Sequence, residues 1–129
     1  MTVEYKVEIT DIDYMGHVSH YKWFEIMEKV RFAMLEKLDW PLSKAWNIGV
    51  GAVIAEAAIA FKKPAKYGDS LKVRITPCEA FKYGCSLHFE IFNQHEILLI
   101  DCKQKALFID LKEKRPTSIP NDLAAKLGL

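Results

Sequence analysis

The chain has 129 residues, half of them apolar, and a formal net charge of +1. That length suits one domain with a proper core, so residues 1–129 read as a single unit. The near-neutral balance excludes the broad basic footprint of a nucleic-acid binder. Cys78, Cys85 and Cys102 lack C-x-x-C spacing and read as reduced, structural thiols of a cytoplasmic protein.

The amino terminus, "MTVEYKVEI", alternates polar and apolar residues, with Val3, Tyr5, Val7 and Ile9 on one side. This period of two predicts a half-buried strand and lacks the apolar block of a signal peptide. Extending the parity places Asp11 and Asp13 on the apolar side, up to a turn at Gly16. From about Tyr21 to Asp39 the period becomes helical. Trp23, Phe24, Ile26, Met27, Val30, Met34, Leu35 and Leu38 share one sector, with Glu25, Glu28, Lys29 and Glu36 opposite. Arg31 falls in the apolar sector, where its stem can snorkel, and Phe32 projects from the polar one.

"DWPLSKAWNIG" suits a short helical turn and loop. Strands then dominate: alanine-rich "GAVIAEAAIAF", "SLKVRIT", "CSLHFEIF" and "ILLIDCKQKALFID", joined by turns at "KYGD", "FKYG" and "NQHE". The apolar run ending at Phe61 contains Glu56 and is too short to span a bilayer. A terminal helix is expected after Asn121 as N-cap. One strand, one long helix and four strands in a meander predict an α+β chain. One helix covers a five-stranded antiparallel sheet only if the sheet curls around it, which is the hotdog arrangement. An exposed sheet edge or face then favours pairing with a second subunit.

The segment "DIDYMGHVSHY" gathers Asp11, Asp13, His17 and His20 before the long helix. A solvated turn with a helix cap is one reading. A metal site is another, but D-x-D-x-x-x-H-x-x-H fits no defined ligand pattern. A D-x-D phosphatase needs a magnesium site and a larger α/β domain, which the downstream meander contradicts. Acyl hydrolysis is the fourth reading. An acid ahead of a helix N-terminus can act as base or nucleophile, and the unpaired N–H groups there can stabilise an oxyanion. A thioester suits so sparse a site, because thiolate leaves readily. No G-x-S-x-G elbow is present, and Cys85 and His88 fall on opposite faces of one strand.

Three blocks resemble the 4-hydroxybenzoyl-CoA thioesterase family, including its Tol–Pal-associated acyl-CoA thioesterases. They are "DIDYMGHVSHYKWFEIMEKVR", "FKKPAKYGDSLKV" and "ALFIDLKEKRPTSIP", in family order and spanning most of the chain. The resemblance implies hydrolysis of an acyl- or aryl-CoA, without a cofactor or metal, by a homodimer or homotetramer. Asp13 matches the family's catalytic aspartate. His20 matches the residue whose backbone N–H faces the thioester carbonyl, and Gly16 matches the close-approach glycine. Trp23 stands where the family pattern often has tyrosine, while Glu28 and Arg31 match its helix acid and arginine. Lys82 is the expected contact for the coenzyme A nucleotide by position, with Lys62, Lys63 and Lys66 as a second basic cluster. An acyl carrier protein is an alternative acyl donor. Rival readings are a hotdog hydratase or dehydratase using a His–Asp pair, and a non-catalytic acyl-CoA-binding module. No nucleic acid and no membrane span are expected.

Overall fold

In the computed structural model, which describes residues 1–129, strand β1 (Thr2–Lys6) is followed by a 3-10 turn at Ile9–Asp11. Helices α1 (Lys22–Lys37) and α2 (Leu42–Ile48) come next. Strands β2 (Val50–Phe61), β3 (Ser70–Phe81), β4 (Gly84–Phe92) and β5 (Leu98–Asp110) form most of the sheet. The two-residue β6 (Arg115–Pro116) pairs with β5, and α3 (Asn121–Lys126) closes the chain. Every pairing is antiparallel.

The predicted amphipathic helix is α1, and it packs its apolar stripe as the periodicity requires. Trp23, Ile26, Met27, Val30 and Met34 are buried against Val73, Ile75, Phe89, Ile91, Ile100 and Cys102 of the sheet. Each large apolar side chain so covered contributes about 1.5–3 kcal/mol relative to exposure. Because one helix serves the whole concave face, the sheet curves round it. The fold is a hotdog.

Two expectations need correction. The strands are not a simple meander, because the sheet order is β1-β3-β4-β5-β2, and β2 pairs with β5 rather than β3. The sixth strand and the crossover at 62–69 both lay outside the five-stranded reading. Asn121 is not the N-cap of α3 but its first residue, with Pro120 preceding it in extended conformation. The turns at "KYGD", "FKYG" and "NQHE" do fall between strands.

The crossover decides where the candidate site forms. It carries the chain from the outer strand β2 to β3, and Ala65 within it is fully buried. Asp69 fastens its end: one carboxylate oxygen accepts from the Lys66 amide at 2.8 Å, and the other from Gln94 Nε2 at 3.0 Å. Strand β2 keeps one flank unpaired along twelve residues, most of them exposed and nearly all apolar. Glu56 is the only charged side chain on it. No helix is long and apolar enough to cross a membrane.

Candidate active site

The strand parity breaks after Val7, because the backbone enters the 3-10 turn at Ile9–Asp11. Ile9 is consequently exposed, Asp11 is buried, and Asp13 emerges on the surface. The two aspartates of D-x-D therefore do different things. Asp11 Oδ2 accepts from Tyr5 Oη at 2.7 Å and from the Glu8 amide at 2.9 Å. Burial, with the Asp11 hydrogen bond next, pushes the Tyr5 hydroxyl well above its ordinary range, so it stays a donor.

Asp13 heads a tight loop. Its amide donates to the His17 carbonyl at 2.7 Å, and its own carbonyl accepts from the Gly16 amide at 3.0 Å. Its Oδ1 accepts from the Met15 amide at 2.8 Å and the His17 amide at 3.3 Å, an Asx-type turn that leaves Oδ2 without a partner in the chain. Gly16 permits this turn: its φ of 79° is left-handed, which a Cβ would strain, although the space around it is open. The loop rests on the crossover through Val18 N to Ala65 O at 2.9 Å and a bridge between His17 and Lys66.

Immediately after the loop comes α1. The Lys22 amide donates to Ser19 O and the Phe24 amide to Tyr21 O, but the His20 and Tyr21 amides donate to no acceptor in the chain. They are the free donors that a helix start leaves. The His20 imidazole is exposed and packs edge-on to Tyr21 at 5.9 Å between centroids. Neither His17 nor His20 pairs its ring with a carboxylate, and the side chains of Asp11, Asp13, His17 and His20 do not assemble a ligand set. The one group of converging ligand atoms is His88, Glu90 and Asp101, on β4 and β5. There His88 Nε2 lies 2.9 Å from Asp101 and Arg74 pairs with Glu90 at 3.0 Å, a surface charge network.

Asp13 and Gly16 share one tight loop, His20 follows it where α1 begins, and Lys82 lies apart from both. Lys82 sits in the β3–β4 turn with its ammonium over the Tyr83 ring at 5.2 Å. From the crossover it is separated by the length of β3, about 36 Å at 3.3 Å per residue. Lys66, not singled out from its cluster by sequence, is the lysine that adjoins the loop. Cys85 and His88 lie on opposite sheet faces as the parity required, Cys85 buried and raised in pKa by that burial.

A cavity of about 780 Å³ opens on the other flank of α1. It is lined by Phe24, Trp40, Trp46, Ala52, Ile54 and Phe108 among other apolar groups, with Glu25, Glu28, Arg31 and Gln104 supplying polarity. Arg31 Nη1 donates to Gln104 Oε1 at 2.7 Å, and burial lowers the guanidinium pKa. Phe32 is exposed but lines the same cavity. Asp13 is not among the lining residues. Nothing in the local periodicity signals this cavity, because α1, α2, α3 and strands β2, β4 and β5 build it together.

Comparison with known proteins decides the family. Residues 7–127 match the family model of the thioesterase-like superfamily. The chain belongs to that superfamily. The curated relatives of this thioesterase-like chain include YneP of Bacillus subtilis, a candidate acyl-CoA thioesterase. It is 28% identical over 117 residues, covering 88% of this chain and 82% of that protein. Among solved structures, Slr0204 of Synechocystis, a 1,4-dihydroxy-2-naphthoyl-CoA thioesterase, superimposes with a TM-score of 0.90. It is 22% identical and covers 98% of this chain and 94% of its own. SAV2348 of Staphylococcus aureus, solved in complex with CoA, gives a TM-score of 0.91 at 14% identity, covering 98% and 80%. These two likenesses confirm the hotdog fold.

Proposed function

We propose that the chain is an acyl-CoA thioesterase that hydrolyses an acyl- or aryl-CoA to the free acid and CoA, in the manner of the 4-hydroxybenzoyl-CoA thioesterase family. The observation that carries this reading is an exposed Asp13 carboxylate oxygen without a partner in the chain, on the loop that leads directly into the unused His20 and Tyr21 amides at the start of α1. The thioester carbonyl oxygen would accept from those amides, and Gly16 would let the ligand approach the backbone. Asp13 either adds to the carbonyl carbon or removes a proton from the water that does. In both cases the negative charge moves to the carbonyl oxygen beside fixed N–H dipoles. Collapse then expels the CoA thiolate, which takes up a proton, and water supplies the hydroxyl of the acid.

The active unit is at least a dimer on this reading, a homodimer or a homotetramer. A 12-residue apolar edge invites antiparallel pairing with the β2 of a second copy. A two-fold axis near the middle of β2 would set the start of one β2, which lines the cavity, level with the end of the other. That end leads into the crossover that holds the Asp13 loop. The acyl group would then enter the cavity of one subunit from the Asp13 of its neighbour. For the CoA nucleotide, Lys66, bridged to His17, is a cation beside the loop within one subunit, and Lys82 would serve only if carried there by another. The acyl donor is CoA or an acyl carrier protein.

The hydratase reading loses support because no imidazole–carboxylate pair forms at the loop. Thiol release measured across acyl-CoA chain lengths and aryl-CoAs tests the proposal. Tight acyl-CoA binding without thiol release, with Asp13 intact, would replace it by a binding module.

A further inference from the structure

The proposed chemistry leaves one buried acid without a role. Asp11 is only 1% exposed, so it cannot touch a substrate, yet it lies two residues from Asp13. A buried carboxylate is costly unless its oxygens are hydrogen-bonded, and here two donors from different parts of the chain meet one oxygen. Tyr5 comes from β1, and the Glu8 amide comes from the entry to the 3-10 turn. The Asp11 backbone is engaged as well: its carbonyl accepts from the Ser19 amide at 3.0 Å, and the Ser19 carbonyl accepts from Lys22 in the first turn of α1.

We infer that Asp11 and Tyr5 form a positioning pair that holds the Asp13 loop against the start of α1, fixing the carboxylate relative to the His20 and Tyr21 amides. The loop has two anchors. On one side the crossover holds Gly16, His17 and Val18 through Tyr67, Lys66 and Ala65. On the other side the Ile12–Val18 bridge closes the loop just beyond Asp11. Asp11 ties this second side both to β1, through Tyr5, and to Ser19, whose carbonyl accepts from the first residue of α1. Without its side-chain bonds, the 3-10 turn is free to shift on β1, carrying Asp13 with it. A displacement of about 1 Å at such a site costs on the order of a hundredfold in rate. Tyr5 is suited to the task because its hydroxyl remains protonated throughout the working pH range.

A mere cap of the 3-10 turn would affect stability alone, and two substitutions separate the cases. Tyr5→Phe deletes one donor, whereas Asp11→Asn keeps an oxygen that both donors can still reach. This inference rests on the thioesterase reading for its kinetic arm only. On the best acyl-CoA substrate, Tyr5→Phe is expected to lower kcat at least fivefold with KM within twofold. Asp11→Asn is expected to stay within threefold of the parent in kcat. Amide hydrogen exchange at His17 and Ser19, followed in the intact protein, should accelerate in Tyr5→Phe and not in Asp11→Asn. Unchanged kcat and exchange in Tyr5→Phe, with only a lower Tm, would overturn the inference. So would an Asp11→Asn loss as deep as removal of Asp13, which would make the Asp11 charge itself part of the chemistry. If the parent protein releases no thiol from any acyl-CoA, the thioesterase reading fails, while exchange at Ser19 and His17 still decides the clamp.

Discussion

Asp13→Asn separates the chemistry of the site from the architecture of its loop. Asp13 Oδ1 holds the Met15 and His17 amides at 2.8 and 3.3 Å, and an asparagine carbonyl oxygen can occupy the same position. The exchange converts two charge-assisted bonds on an exposed loop into neutral ones, which costs about 0.5–1.5 kcal/mol. A domain of this size then melts only a few degrees lower, about 2–6 °C. The second oxygen, free of partners in the chain, is replaced by an amide nitrogen that can neither attack a carbonyl nor accept a proton from water. General-base contributions of about 10²–10⁴ in rate correspond to about 3–5 kcal/mol in the barrier, several times the structural cost. Thiol release from acyl-CoA, read with a chromogenic disulfide, should therefore fall at least a hundredfold while scanning calorimetry shows a small shift. Turnover within threefold of the parent, in a folded protein, would remove Asp13 from the reaction.

Other outcomes follow from packing. Adding a Cβ at Gly84 would place it 1.9 Å from the Ala106 carbonyl oxygen, a backbone atom that cannot rotate away. Gly84→Ala should lower Tm by about 5 °C or more, and an unchanged Tm would show that the β4–β5 pairing is looser than described. Gln104→Leu strips the half-buried Arg31 guanidinium of its acceptor and should cost about 1.5–3 kcal/mol in urea titration. Adding Arg31→Met should recover most of that loss; a double variant no better than the single would show that Arg31 does not depend on Gln104. Ile54→Lys puts a charge on the exposed edge of β2 and should shift the protein to monomer in sedimentation velocity, whereas an unchanged mass would place the subunit interface elsewhere.

Much of this protein is legible in its sequence because the signals are local. Helical periodicity from Trp23 to Leu38 marks the stripe that α1 buries, and alternation in "SLKVRIT" and "CSLHFEIF" marks strands that face it. The D-x-D loop, Gly16 and the helix start are likewise contiguous, so their succession is read directly from the chain. What the sequence does not separate is the fate of the two aspartates. Simple parity puts both on the apolar side, and only the 3-10 turn, fixed by Tyr5 from β1, buries Asp11 while releasing Asp13. The strand order belongs to the same class: adjacency of β2 and β3 in sequence suggests a meander, but β2 pairs with β5 across the sheet. That crossover brings Lys66 to His17 and leaves Lys82 at the far end of β3. The cavity beside Arg31 is built by three helices and three strands spread along the chain. Periodicity reports which face of an element is apolar; which surfaces that face will meet is settled by the curvature of the sheet and the path of the crossover, and neither is a local property of the chain.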